Sequence, residues 1–410
     1  MQPLEGYRVL DFGSAWAGPM AAQLLADMGA EVIKVESRAR MDGLRLGRPI
    51  VGDDVAGGDR GLWPDLQPAF HGFNRNKLSI TVNLKHPEGV ALIKRLVPMA
   101  DVVTNNFAPG VMERLGLGYE ELRAIRRDII VVSMPAAGES GPLKDIIAYA
   151  TIIHALSGLM SMVGYEGEPL VGQLQAAWSD ALAAMHAAVA TATALYHRRR
   201  TGEGQYIEVS QWEATTSMLG EAIMDYAMNG RVAGPMGNYH PMMAPHNNYP
   251  CRGDDRWVSI AVASEEEWQA FCRALGDPEW ARDTKFADAF QRQRNRAELD
   301  ARIAEWTCQH DAHEVTEFLQ GAGVAAMTVM NIEDQFLDPH FRERGFHVEV
   351  EHPKVGLEWL YGQPWLLSDT PGSVRRHAPL LGEHNEYVFR QLLEIPAEEY
   401  ERLVKEQALY

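Results

Sequence analysis

The stretch YRVLDFGSAWAGPMAAQLLADMGAEVIKVE, Tyr7 to Glu36, decides the fold class. Val9 to Phe12 is a short apolar run closed by Gly13, Met20 to Met28 carries apolar residues at helical spacing, and Glu31 to Val35 is again short and β-branched. Strand, helix and strand in so few residues make a βαβ unit, whose crossover sets two parallel strands side by side. The turn GSAWAGP invites a nucleotide reading, but its usual forms fail. Gly13 and Gly18 do not complete G-x-G-x-x-G, and Pro19 stands where a phosphate-cradling loop needs lysine. Glu36 imitates the acid that binds a ribose hydroxyl, although acids at strand ends are common. What remains is a loop at the carboxyl end of a parallel strand, where open α/β sheets bind ligands.

Working outward, Ser79 to Leu84 reads as a strand and Pro87 opens a helix to about Val97. DVVTNNFAPG is a further strand ending in a loop with Asn105, Asn106 and Phe107. VMERLG opens a short helix carrying Arg114, and DIIVVSMP is another strand. This alternation predicts an α/β, Rossmann-like, doubly wound large domain. GQYIEVSQWEA adds a strand and a helix to about Met228, so residues 1–228 form the first part of that domain. Residues 229–250, rich in Gly, Pro, Asn and Met, read as a linker or lid. Residues 251–323, with a strand at Trp257 to Ala263 and sharply capped helices, read as a smaller α/β domain. Residues 324–410 read as a return segment, with strands at Val324 to Ile332 and Phe346 to Glu351 and an amphipathic helical tail, completing the large domain.

Composition narrows the function. A 410-residue chain that is 46% hydrophobic buries a large core, and a net charge of -18 argues against nucleic acid as a partner. Within that acidic background Arg38, Arg45, Arg48, Arg75, Lys77, Lys85 and Arg114 gather at loops and strand ends, which suggests a phosphate-bearing ligand. Cys251, Cys272 and Cys308 have neither metal-ligand spacing nor an even disulfide framework, and His240 and His246 lack a carboxylate or Cys partner, so no metal is expected. No signal peptide and no membrane span are read, and the expected location is the cytoplasm.

One further stretch, QLQAAWSDALAAMHAAVATATALYHRRRTGEGQ from Gln173 to Gln205, places Asp180 at the start of a long, nearly chargeless helix. His197 and Arg198 to Arg200 supply cations to its last turn, and Gly202 stops it. Its small residues predict a core helix packed on every side. Ser-Asp before an apolar run is a common N-cap. The same placement suits a nucleophilic carboxylate kept ionised by backbone N–H groups and the helix dipole. The motif alone leaves both readings open.

With these elements placed, the chain resembles the family III CoA-transferases, the CaiB/BaiF family, which includes formyl-CoA and mesaconyl-CoA transferases and related acyl-CoA racemases. The likeness rests on YRVLDFGSAWAGPMAAQLLADMGAEVIKVE, NRNKLSITVNLKHPEG, ADVVTNNFAPGVMERLGLGY, the Asp180 to Gln205 stretch, APHNNYPCRGDDRWVSIAV and APLLGEHN, in order along nearly the whole chain. The resemblance implies that Asp180, twenty-one residues before Thr201-Gly202, is the nucleophile. It would attack an acyl-CoA thioester to give an aspartyl-acyl anhydride and then an aspartyl-CoA thioester, from which an acceptor acid takes CoA. By the same resemblance CoA is a substrate rather than a tightly bound cofactor. Arg38, Lys85 and Arg114 match positions near its phosphates, and Val82, Asn106 and Phe107 match positions around adenosine and pantetheine. Ala15, Trp16 and Ala17 lie near the thioester, and Tyr149 near the reacting end.

Two departures bear on the reaction. The position after Tyr149, often acidic in relatives, is Ala150, and PMMAPHNNY replaces a glycine-rich lid. The racemases carry a His-Asp pair at the positions of Tyr149 and Ala150, so transferase is preferred over racemase. GSAWAGP, RGDDRW and AYATIIHALSGLM look most like the succinyl-CoA:benzylsuccinate CoA-transferase branch, with succinyl-CoA as donor and a bulky or aromatic acid as acceptor. A non-catalytic, CoA-binding subunit is a third reading, against which Asp180 itself speaks. The family resemblance also implies an interlocked dimer, either of identical chains or with a related subunit.

Overall fold

The computed structural model describes residues 1–49, 59–172 and 176–410; the first three residues of the Gln173–Gln205 stretch are outside the described residues. The chain divides into two compact units, one of Met1–Met160, Gln173–Arg231 and His340–Tyr410, the other of Ser161–Gly172 and Val232–Pro339.

In the larger unit β1 (Arg8–Asp11), β2 (Glu31–Glu36), β3 (Lys77–Thr81), β4 (Val102–Asn105), β5 (Ile130–Ser133) and β6 (Tyr206–Glu208) form one sheet in the order β3-β2-β1-β4-β5-β6. All its pairings are parallel. Leaving β1 the chain winds one way through β2 and β3, then returns to β4 on the other side of β1, so the winding reverses between β1 and β4. Both faces of such a sheet must be covered, and the strands show it, because successive residues serve opposite faces. Helix α1 (Ala17–Asp27) follows β1 and α2 (Pro87–Leu96) follows β3. Leu10, Ile33, Val103 and Val131 pack with Leu92, Ile93 and Leu96 of α2 and with Val388, Phe389 and Leu403 of the tail. Their neighbours Val9, Val32, Val102, Ile130 and Val132 pack with Ala21, Ala22, Leu25 and Ala26 of α1 and with Ala184, Ala187, Ala194 and Leu195. Each fully buried Val, Leu, Ile or Phe contributes about 1.5–3 kcal/mol relative to exposure, so neither covering layer is dispensable.

Helices α3 (Ala150–Ser157), α4 (Trp178–Thr201), α5 (Gln211–Thr216) and α6 (Gly220–Asn229) also belong to this part, with a single 3-10 turn at Ser217–Leu219 breaking what reads from sequence as one helix. The Ala-rich α4 is not packed on every side. Ala183, Ala184, Ala187, Thr191, Ala194 and Leu195 are buried, while Met185, Val189 and Tyr196 on the opposite stripe are exposed. Small side chains let α4 approach α1 closely on one side; on the other the described residues leave Met185, Val189 and Tyr196 exposed. At its far end Arg198 donates to the Asp101 carboxylate at 2.8 Å and to the Asp101 carbonyl at 3.2 Å, just ahead of β4. The C-terminus of α4 is therefore pinned at the amino ends of the strands, and its N-terminus lies at their carboxyl ends. A hairpin, His347–His352 with Gly356–Tyr361, and a tail helix at Ala397–Lys405 belong to the same unit.

The smaller unit is an antiparallel sheet, β7 (His246–Pro250), β8 (Trp257–Ala261) and β9 (Ala325–Thr328), packed with helices at Glu265–Ala274, Arg296–Thr307 and Ala312–Gly321. β7 falls in the stretch read as linker, because Pro and Asn mask the pattern that Tyr249, buried against Val258, reveals. β9, read as part of the return path, instead pairs with β8.

Candidate active site

The β1–α1 loop is built at the reversal point, on a floor of buried charge. Gly13 and Gly18 pack backbone to backbone: a Cβ on Gly18 would sit 2.6 Å from Gly13 Cα and 2.9 Å from Asn106 Oδ1, so no larger residue fits. Asn106, following β4, accepts from Ser14 N–H at 2.9 Å and donates to Ser14 O at 2.8 Å, which ties the two strand ends together. Ala15 at the tip has φ 62°, a left-handed conformation costing roughly 1–2 kcal/mol outside glycine. Its N–H donates to Asp42 Oδ1 at 2.9 Å. Asp42 is paired through its other oxygen with Lys34 Nζ at 2.8 Å, and Lys34 also donates to Gly13 O at 2.7 Å. Beside them Lys77 reaches Asp11 and the carbonyl of Pro19, each at 2.8 Å.

Burial works against the charges of Lys34, Asp42 and Lys77, and its balance with their partners decides each outcome. For Lys34 the carboxylates of Asp42, Asp11 and Glu36 outweigh burial and hold its pKa above the ordinary value. For Asp42, burial is outweighed by Lys34 and by the N–H groups of Leu44 and Ala15, and the pKa falls. For Lys77, burial wins and lowers it to about 8 despite Asp11.

Asp180 lies in the first turn of α4, three residues past Ala177, which holds the cap position; the N-cap reading of Asp180 is not what the chain adopts. Its Oδ1 accepts from Ala17 N–H, at the start of α1, at 3.3 Å, and its Oδ2 from Ser179 Oγ at 3.4 Å. These are long contacts, and burial, opposing them, raises the Asp180 pKa. The N–H groups that the sequence reading expected to hold the charge do lower the pKa, but burial outweighs them. The result is a half-buried, more basic carboxylate, lightly held, beside the reversal point between β1 and β4. That is what a carboxylate nucleophile requires. Ser179 N–H, in turn, donates to His154 Nε2 at 3.2 Å.

Of the residues singled out from the sequence, Ala15, Trp16, Ala17 and Asn106 lie in or against this loop, and Ala17 touches Asp180. The Trp16 ring packs on Phe73, with centroids 4.6 Å apart. Phe107 is half-buried against the core beside α2. Val82 is fully buried, with its backbone bridged to Leu409. Arg38, Lys85 and Arg114 are exposed on the segments following β2, β3 and β4. Three other cations from the same cluster are internal struts. Arg45 is buried on Glu36 at 2.9 Å and Asp65 at 2.8 Å, Arg75 on Asp27 at 2.7 Å, and Lys77 on Asp11. The pairing with Arg45 also removes Glu36 as a ribose ligand. Tyr149 is 81% exposed at the start of α3 and is not among the hydrogen-bond partners of the Asp180 carboxylate, which are Ala17 and Ser179.

Sequence reading missed Lys34, Asp42 and His154. A lysine inside the apolar strand EVIKVE and a histidine inside IIHAL were the available signals, since a polar group in a buried element needs a partner. Among the described residues no group of three or more His, Cys, Asp or Glu is placed to hold a metal ion, and no helix is long and apolar enough to cross a membrane.

Residues 4–385 match the model of CoA-transferase family III. The chain is 36% identical over 392 residues to the succinyl-CoA–D-citramalate CoA-transferase of Chloroflexus aurantiacus, covering 96% of this chain and 94% of that one. It is 34% identical to the succinate–glutarate CoA-transferase of Agrobacterium fabrum, covering 95% and 96%. Among solved structures, a CaiB/BaiF family protein from Brucella suis superposes with a TM-score of 0.86 at 31% identity, over 95% of this chain and 99% of that chain.

Proposed function

Since the chain belongs to CoA-transferase family III, we propose that it moves CoA from succinyl-CoA to a second carboxylic acid through covalent intermediates on Asp180. The enzyme class follows from the family; donor, acceptor and intermediates are the proposal. The observation that carries it is the single lightly held carboxyl group at the mouth of α4, hydrogen-bonded by the first N–H of α1.

An Asp180 oxygen attacks the thioester carbonyl, and the CoA thiolate leaves as a mixed anhydride forms. The thiolate then attacks the Asp180 carbonyl, releasing succinate and leaving an aspartyl-CoA thioester. The acceptor carboxylate displaces the thiolate from that thioester, giving a second anhydride, and the thiolate attacks its acceptor-derived carbonyl. New acyl-CoA leaves and the Asp180 carboxylate returns. Each intermediate is itself an activated anhydride or thioester, so the chemistry needs water kept away more than it needs acid or base. The Ala17 N–H, at 3.3 Å, is placed to hold the oxygen charge that the reaction moves on and off Asp180. Exposed Arg38, Lys85 and Arg114 serve the CoA phosphates, Asn106 and Phe107 border the pantetheine, and Val82 shapes the floor from below.

The D-citramalate and glutarate relatives favour an aliphatic dicarboxylic acceptor for this chain over the bulky or aromatic one of the benzylsuccinate branch, which Trp16 near the thioester would also suit. Packing against Phe73 accounts for that indole without an aromatic substrate. The alpha and beta subunits of the Chloroflexus aurantiacus succinyl-CoA–L-malate CoA-transferase are also relatives, so a paired subunit remains within the proposal.

The test is intact-protein mass spectrometry of wild type and Asp180→Ala after incubation with succinyl-CoA and borohydride or hydroxylamine trapping. A trapped product at Asp180 in the wild type alone is expected. CoA binding with no adduct from any thioester in a panel would replace this reading with a non-catalytic, CoA-binding subunit.

A further inference from the structure

Helix α4 starts without a side-chain cap: Ala177 has no polar group to offer, and the first-turn N–H groups of a helix have no partner within it. The Ser179 N–H is nevertheless satisfied, by an imidazole from another helix. His154 on α3 is 2% exposed and its Nε2 accepts that hydrogen bond at 3.2 Å. Ser179 is fully buried, and its hydroxyl donates to Asp180 Oδ2. One ring nitrogen therefore fixes the peptide immediately ahead of Asp180, and does so from the helix whose first residue follows Tyr149.

We propose that neutral His154 is a positioning residue, holding the start of α4 so that the Asp180 carboxylate stays in attacking register. The inference rests on Asp180 as the nucleophile. Only an unprotonated nitrogen can accept from Ser179, which puts the ring proton on Nδ1. Protonation turns Nε2 into a donor facing a donor, and the first turn of α4 must then move. Of the helices packed against α3, α4 brings Asp180 and His186 and α5 brings Glu213, yet the ring's pKa responds to burial alone, which lowers it. At neutral pH the accepting form therefore prevails, and it is lost only in acid.

The experiment follows exchange of labelled succinate into succinyl-CoA, which reads chemistry at Asp180 without knowledge of the acceptor. His154→Phe keeps the ring shape and removes the acceptor; His154→Gln keeps an acceptor that does not titrate. His154→Phe is expected to lose roughly ten- to a hundredfold in kcat, the scale of a small misplacement of a reacting group, with KM for succinyl-CoA changing less than about twofold. His154→Gln is expected to recover most of that loss. The acid limb of log kcat, set by two protons in the wild type, one on His154 and one on Asp180, is expected to be set by one in His154→Gln. Unchanged kcat in His154→Phe, equal losses in both variants, or the same limb in His154→Gln as in wild type would each overturn the proposal. Should His154→Phe fail to fold, the limb of His154→Gln decides alone. Full exchange by Asp180→Ala would remove the nucleophile reading itself, whatever the His154 variants do.

Discussion

Asp180 joins two opposed demands in one side chain. Attack on a thioester needs an ionised carboxylate, and burial disfavours that form, raising its pKa. A folded-state pKa above the ordinary 3.8 means that the native state binds this proton more tightly than the unfolded chain does. The charge therefore costs nothing below about pH 3.8, and its cost grows until pH has passed the folded-state pKa. Asp180→Asn is expected to melt above the wild type at pH 7 while losing exchange activity, with the difference shrinking toward pH 4. Thermal unfolding at several pH values checks this; a lower melting temperature at pH 7 would show that the carboxylate stabilises the fold instead. Ala15 belongs to the same account, since its left-handed backbone is strain held at the point of use.

The β1–α1 loop is an element whose shape depends on ions beneath it. Asp42→Asn offers Lys34 a neutral partner, and its NH2 must face either that cation or the N–H groups of Ala15 and Leu44. Breaking a buried pair from one side costs about 3–5 kcal/mol, so a loss on that order is expected in urea unfolding, together with reduced kcat. A change below about 0.5 kcal/mol, the surface value, would mean that water reaches the pair. This element also marks where sequence legibility stops. The βαβ unit, the loop and its place at a strand end were readable, because Val, Ile and Ala periodicity states which face is buried. The roles of individual cations were not. Arg45, Arg75 and Lys77 have the same composition signal as Arg38, Lys85 and Arg114, and only burial separates struts from candidates for phosphate contact. Asp180 was legible as a helix-start acid, while the nucleophile role proposed for it came from resemblance, and the histidine behind it was hidden because α3 and α4 meet only in three dimensions.

On the scale of the larger unit, α4 and α6 leave apolar surface uncovered among the described residues. The outer stripe of α4 exposes Met185, Val189 and Tyr196, and α6 exposes Ile223, Met224, Tyr226 and Met228 while burying none of its residues. Helices with this composition need cover, and another subunit is the cover we infer. Size-exclusion chromatography with light scattering is expected to give at least twice 45.7 kDa, and Val189→Glu with Met224→Glu to shift the protein toward the monomer with helicity retained. A wild type that is monomeric at micromolar concentration would refute this. Helix α4 also runs from the Arg198–Asp101 anchor to Asp180, eighteen residues and about 27 Å at 1.5 Å per residue. One residue added or lost between those points turns the acid about 100° around the axis, away from Ala17. Lineages descending from such a chain can vary loop lengths freely, but a helix pinned at one end and carrying the proposed nucleophile at the other acts as a ruler. Insertions and deletions should be absent between its aspartate and its arginine, even where little else of the helix is kept.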